Sequence, residues 1–490
     1  MSTSKSTLNF DYKFIWRVCL VTAMGGLLFG YDWVVIGGAK PFYEQYFSIA
    51  ENEFQQGLAM SSALLGCLLG ALVSGPLTDR FGRKSPLLLS GLLFIGSSIL
   101  TALATSLIAF NFARGIGGVG IGIASSLSPL YIAEISPAVI RGRMVSVNQL
   151  TIVIGILTAQ VVNWVIASGV PGELSGAGLA ETWCGEVGWR WMFAACAVPA
   201  IAFFLLTFTV PESPRWLASA GRIDESWKVL ARVGGVPYAN QEIVAIEEML
   251  QQSEHASGND RSLMAPENSR ALVIGLVLVV LQQWCGINVI FNYADEIFRA
   301  AGYDVRSVMV AIVATGVVNL LFTVIAMQTV DRLGRRILML VGCGGLAVLF
   351  VILGGLFHAK STGPHMVALV LAAIGCYAMS LAPVTWVVIS EIFPNRIRGK
   401  AMSVAVLALW LACTALTFTF PLLNKSLGAS GTFWLYAAIC AAGFVFVLKQ
   451  LPETKGRSLE EIERILIRDS QSTTVPASTQ ATSLRSAESR

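Results

Sequence analysis

Three short charged motifs occur twice in this chain, in the same order both times. Gly75-Pro76-Leu77-Thr78-Asp79-Arg80-Phe81-Gly82-Arg83-Lys84 is answered by Asp331-Arg332-Leu333-Gly334-Arg335-Arg336. Glu134-Ile135-Ser136-Pro137, closing on Arg141-Gly142-Arg143, is answered by Glu391-Ile392-Phe393-Pro394, closing on Arg398-Gly399-Lys400. Pro211-Glu212-Ser213-Pro214-Arg215 is answered by Pro452-Glu453-Thr454-Lys455-Gly456. Each motif stands at the end of a very apolar segment. A pattern of this kind means one helical bundle present twice, with its charges at the helix ends.

The apolar segments set the class. The 490 residues are 55% hydrophobic and 13% charged, with mean hydropathy +0.67. An ordinary soluble domain carries about 25% charged residues. Crossing the hydrocarbon core takes about 20 apolar residues per helix. Twelve apolar runs begin near residues 14, 55, 86, 107, 144, 190, 270, 307, 336, 365, 400 and 430. Segments 87–108 and 337–357 hold no charged residue at all. Buried helices of a soluble protein would show polar faces, so the reading is an all-α polytopic membrane protein of twelve transmembrane helices in two pseudo-symmetric six-helix halves.

Lysine and arginine cluster at Arg80, Arg83, Lys84, Arg141, Arg143, the 215–232 stretch, Arg332, Arg335, Arg336 and Arg396–Lys400. The alternate connections hold scattered ones such as Lys40, Arg299, Arg306, Lys360 and Lys425. The positive-inside rule therefore puts both termini and the central segment in the cytoplasm, at the cell membrane. The net charge of +4 follows from this bias and implies no nucleic-acid partner. Eight of the nine cysteines sit singly inside apolar runs, where they act as small hydrophobes. Cys184 lies in an outside loop without an evident partner. No spacing suits a metal, and no nucleophile–base set or phosphate loop suggests an enzyme or a cofactor. The first apolar run is too long for a signal-peptide core, so no cleavage is expected.

Residues 1–13 read as a cytoplasmic N-terminus, 14–210 as one half, 211–269 as a cytoplasmic helical linker, 270–450 as the other half and 451–490 as a cytoplasmic tail. In the linker, Trp216–Arg232 and Gln241–Gln252 read as short amphipathic helices and 254–268 as a flexible link. The Ser/Thr/Ala-rich tail after about residue 468 reads as disordered. The first half carries an insertion in the outside loop 168–189.

Five motifs in order carry a specific resemblance: the Asp-Arg-x-Gly-Arg pair, the Glu134 and Glu391 motifs, Pro211–Leu217, Gln282-Gln283-x-x-Gly286-Ile287-Asn288 and Pro452–Gly456. Together they resemble the sugar porter family of the major facilitator superfamily, over residues 14 to about 460. The resemblance implies alternating access, a monosaccharide substrate, the lipid bilayer as partner, no cofactor and function as a monomer. For Asp79, Arg80, Arg83, Glu134, Arg141, Glu212, Asp331, Arg332, Arg335, Glu391, Arg398 and Glu453 it implies a charged conformational gate at the cytoplasmic ends. Setting topology alone is the plainer reading of any one of these charges.

Asp32 follows Gly25-Gly26-Leu27-Leu28-Phe29-Gly30-Tyr31 in the first helix, in the outer half of the membrane at about 1.5 Å per residue. A carboxylate inside a span is costly and marks a functional site by default. Arg114 lies at a matching depth in the fourth helix, so the two can pair. The resemblance implies that Asp32 carries the proton and Arg114 tunes it; a permanent structural ion pair is the other reading. Ala195-Cys196-Ala197 stands where the xylose symporters would offer a second acid.

Amides argue for the sugar, because they both donate and accept without charge. On an unbroken helix Gln282 and Asn288 would diverge by about 120°; they converge only if the helix breaks near Gly286, as transporter sites commonly do. Gln149, Asn319 and Trp386 match the family's remaining ligand positions, with Trp386 offering an apolar face. Interhelical hydrogen bonding is the alternative for each amide. Gln160 and Asn163 share the helical face of Gln149 and suggest a polar stripe. Leu409 and Cys413, around Trp410, replace family amides, and Asn292 stands where an outer-gate tyrosine is usual. A pocket lacking a partner discriminates poorly at that hydroxyl. Uptake of a hexose or pentose with a proton is the leading reading, proton-independent uniport of a sugar or polyol the second, and a non-transporting sugar sensor the remote one.

Overall fold

The computed structural model describes residues 10–171, 174, 177–255, 263, 266–394, 397–456 and 461–462, and all regular structure among them is helical. Most of the 254–268 link, Arg396, the side chain of Asp331 and the tail after residue 462 lie outside the described residues. The long apolar helices are α1 (Tyr12–Tyr46), α2 (Glu53–Phe81), α3 (Lys84–Leu103), α4 (Leu107–Ile135), α5 (Arg141–Ala167) and α6 (Cys184–Thr207). The second set is α7 (Asn268–Asn292), α8 (Val305–Leu333), α9 (Arg335–His358), α10 (Pro364–Ile392) and a 53-residue helix, Arg398–Gln450. At 1.5 Å per residue that last helix would run about 80 Å, far more than one bilayer core of about 30 Å. It breaks at Gly428, whose φ is +67°, into two spans, α11 and α12. Among the described residues twelve spans result.

Local chemistry sets the helix starts. Asp11, Asn52 and Ser106 each accept the amide three residues on, at 2.9, 3.1 and 3.3 Å, satisfying donors that a helix start leaves free. Small residues set the closest packing. A Cβ on Gly118 of α4 would stand 1.9 Å from the Ala63 carbonyl of α2, and one on Gly30 of α1 equally close to the Ile152 carbonyl of α5. With no hydrophobic drive between helices in lipid, this backbone approach supplies the packing. The flanks stay apolar: Ile108, Phe112 and Val198 are each more than two-thirds exposed, as a lipid-facing surface requires.

Both ends of the described chain lie on one face of the bundle. There Asp11 donates its amide to the Val233 carbonyl at 2.9 Å. The linker forms a short helix, Pro214–Ser219, and a longer one, Ile223–His255, kinked at Gly234 and Gly235. The single helix expected over Trp216–Arg232 is therefore divided, because Gly221 turns the chain with φ +77°. On the opposite, distal face α1 runs on to Tyr46, so Lys40 lies inside a helix and not in a connecting loop.

Candidate functional site

Asp32 and Arg114 meet between α1 and α4. Arg114 Nη1 donates to Asp32 Oδ1 at 2.5 Å, and Nη2 to the Asp32 backbone carbonyl at 2.8 Å. Both residues are at most 3% exposed, and the guanidinium lies 5.3 Å from the centre of the Phe193 ring. Asp32 Oδ2 and Arg114 Nε have no hydrogen-bond partner. A buried charge is tolerable only when paired, and here the pairing leaves one carboxylate oxygen spare. Gly117 makes the room: a Cβ there would sit 3.2 Å from Oδ2.

The seventh helix breaks where the amides need it to. It ends at Trp284 and resumes at Ile287, with Gly286 at φ +89° packed on the Tyr436 ring. Only glycine takes that φ without strain. Across the break Asn288 Nδ2 bonds Gln283 Oε1, and Gln283 Nε2 bonds Gln282 Oε1 at 3.1 Å. Gln282 Nε2 in turn reaches the Ala382 carbonyl at 3.1 Å, next to the point where α10 breaks at Ser380 (φ −125°, ψ −90°). The break thus lies three residues before Pro383. Cys413 Sγ lies 3.9 Å from Asn288 Nδ2, so the α11 position that lost its amide does face this chain of side chains.

Asn319 on α8 is buried, while Gln149 on α5 and Trp386 on α10 are half-buried. The structure brings none of these three into hydrogen-bond contact with the Gln282–Asn288 chain. The polar stripe on α5 has other uses: Gln160 Nε2 donates to Thr315 Oγ1 of α8 at 3.1 Å, and Asn163 Nδ2 to the Val35 carbonyl at 2.9 Å.

The duplicated motifs build the same joint twice. Arg83 reaches Glu134 through Nη2 at 2.7 Å and Nε at 2.9 Å, and its amide donates to Glu212 at 2.8 Å. Arg335 reaches Glu391 at 3.0 Å, and its amide donates to Glu453 at 3.0 Å. Glu212 and Glu453 thereby cap the starts of α3 and α9, where a helix favours negative charge. Gly82 and Gly334 sit at φ +84° and +91° against these carboxylates, which gives the Asp-Arg-x-Gly-Arg motif its glycine. All of these pairs join helices within one half. Asp79, Arg80 and Arg332 are exposed, Lys455 Nζ bonds the Arg332 carbonyl, Arg398 bonds the Phe393 carbonyl, and Arg141 Nε has no partner.

Contacts between the halves gather at the distal face, where sequence reasoning named only the outer-gate position Asn292. Lys40 of α1 pairs with Glu296, just beyond α7, at 2.5 Å, and Lys425 with Glu53 at 2.7 Å. Trp33 packs on Phe291 and Phe54 on Phe418, with ring centres 5.9 and 5.5 Å apart. The signal for Lys40 was its four-residue spacing to Glu44, which only becomes visible once α1 is extended past Ala39.

Two repeated bundles around a broken helix with convergent amides and a buried Asp32–Arg114 pair define a secondary transporter of the major facilitator type. Residues 18–466 match the model of the sugar (and other) transporter family, to which the chain belongs. It is 39% identical to the arabinose-proton symporter of Bacillus subtilis, over 94% of this chain and 97% of that one. It is 37% identical to the D-xylose-proton symporter of Escherichia coli, over 93% and 96% of the two chains. The inward-open conformation of the xylose transporter from E. coli superposes with a TM-score of 0.80 at 36% identity, covering 92% of this chain and all of that one.

Proposed function

We propose that the protein takes up a monosaccharide, hexose or pentose, together with a proton, by alternating access of residues 14–210 against 270–450. The observation that carries this reading is the isolated Asp32–Arg114 pair, a titratable group buried inside a span beside a broken helix lined with amides. Such residues in membranes serve ion and proton pathways. Gln149, Gln282, Gln283, Asn288, Asn319 and Trp386 bind the sugar, and Asp32 with Arg114 couples the proton.

The face carrying the termini, the 211–269 linker and the basic clusters is the cytoplasmic one. The structure then corresponds to the inward-facing state, a reading supported by the distal cross-half contacts and by the likeness to the inward-open xylose transporter. The duplicated charge sets brace each half and dock to one another when the cytoplasmic side closes. The protein works as a monomer in the cell membrane.

Uniport is favoured by one observation: Arg114 grips Asp32 at two points, as a permanent structural pair would. Uptake into vesicles of labelled pentoses, hexoses and polyols, with and without a pH gradient, separates the readings. Symport predicts accumulation of one sugar only when the outside is acidic; uniport predicts equilibration regardless of the gradient.

A further inference from the structure

The distal face holds a charge cluster that the reading above gives no role. Lys40 is 3% exposed, and its ammonium lies 3.0 Å from Glu44, one turn on, and 2.5 Å from Glu296 of the other half. Asn424 donates to the second oxygen of Glu296 at 3.3 Å, and Asp295 pairs with Arg299 at 2.7 Å. These groups line a cavity of about 470 Å³ between the halves, and Glu44 Oε1 has no hydrogen-bond partner. The remaining cation on the cavity, Lys425, is two-thirds exposed in its pair with Glu53.

A buried ammonium is tolerated for its partners, and removing it leaves those partners as uncompensated buried charge. Here the partners are Glu44, Glu296 and the neighbouring Asp295, with Arg299 committed to Asp295. One leg of the pairing, Lys40–Glu296, exists only while the halves meet on this face. A contact made in one state and not in the other shifts the population between them. The duplicated pairs Arg83–Glu134 and Arg335–Glu391 do not supply that leg, since each joins helices of a single half.

We propose that Lys40 is a positioning residue of the transport cycle, the buried cation that ties the two halves together and holds the distal gate shut. Without it, Glu44 and Glu296 lose their shared cation beside Asp295, and they repel until the halves part and water reaches them. The exposed Lys425–Glu53 pair does not share the task, because solvent screens exposed pairs nearly to nothing. The inference rests on alternating access and not on proton coupling, so a failure of symport leaves it standing.

The test uses spin labels at Glu51 and Ser426, exposed positions on opposite halves of the distal face. Eight of the native cysteines are buried, and Cys376, which is half-buried, is replaced by serine in every labelled variant. In sugar-free protein in lipid nanodiscs, Lys40→Met should raise the long-distance, distally open population at least tenfold. Glu296→Gln, which removes only the cross-half leg, should shift it the same way by less. The swap Lys40→Glu with Glu296→Lys should restore the wild-type distribution, and Lys425→Ala should leave it within twofold. An unchanged distribution in Glu296→Gln would overturn the proposal. So would a swap that stays as open as Lys40→Met, because packing and not charge would then be responsible.

Discussion

Arg114 holds Asp32 at two points, its carboxylate Oδ1 at 2.5 Å and its backbone carbonyl at 2.8 Å, and leaves Oδ2 without a partner. The planar guanidinium makes this grip possible, since its donors lie in a fixed fork. In the proposed cycle the proton adds at this spare oxygen, the attraction to Arg114 falls, and the helices that carry the two residues separate.

Removing one partner of such a pair is far worse than removing both. Arg114→Leu should cost roughly 3–5 kcal/mol by stranding a buried carboxylate. The double variant Asp32→Leu with Arg114→Leu should recover most of that loss. Arg114→Lys should fall between, with the charge kept and the two-point grip lost. Thermal unfolding of purified protein in one detergent checks the series. A double variant less stable than Arg114→Leu would mean that the pair is not held together by charge.

Sugar binding should depend on Gln283. Its amide links Gln282 to Asn288 across the break in α7. Gln283→Ala should weaken binding by roughly 1–3 kcal/mol, since a hydroxyl of the ligand then stays unpaired, while expression stays near normal. Calorimetric titration with the transported sugar measures it, and unchanged affinity would remove Gln283 from the site.

The two copies of the charged joint should behave alike. Neutralising Arg83 or Arg335 should move the equilibrium toward the state described here, leaving sugar affinity within that state unchanged. In the proposed cycle these arginines assist closure only on the face that carries the termini. Distances between labels on the helix ends of that face would reveal the shift. An unaltered distribution in both variants would confine them to bracing their own halves.

Gly82→Ala and Gly334→Ala should each destabilise the protein by about 1–3 kcal/mol from the backbone alone, since positive φ with extended ψ is open essentially to glycine only. A further loss follows because a Cβ at Gly82 would meet Glu212 Oε2 at 2.4 Å, and one at Gly334 would meet Glu453 Oε2 at 2.8 Å. Unfolding temperatures check this, and a neutral Gly82→Ala would show that the loop can rearrange around the cap.

The membrane architecture was legible because every span must be predominantly apolar, so helix starts such as Lys84 and Arg335 fell within two residues of the expected ones. The break at Gly286 was legible for a different reason: two amides six residues apart serve one ligand only if the helix opens. Lateral relations were not legible. Depth made Asp32 and Arg114 compatible, but only the close α1–α4 packing shows that they touch. Lys40 was misread because charge normally ends a span, whereas here two carboxylates compensate it inside the helix. Gln160 was read as part of a polar stripe on α5, and the structure adds that its amide ties α5 to α8.

Proton movement in liposomes reconstituted with the purified protein tests the central claim most directly. Adding the transported sugar outside, with no pre-set gradient, should carry protons inward and alkalinise the medium. Asp32→Asn should abolish that signal, while sugar binding and counterflow exchange of labelled for unlabelled sugar persist. Sugar entry into wild-type liposomes without any proton movement would contradict the account and make the protein a uniporter whose Asp32–Arg114 pair is structural.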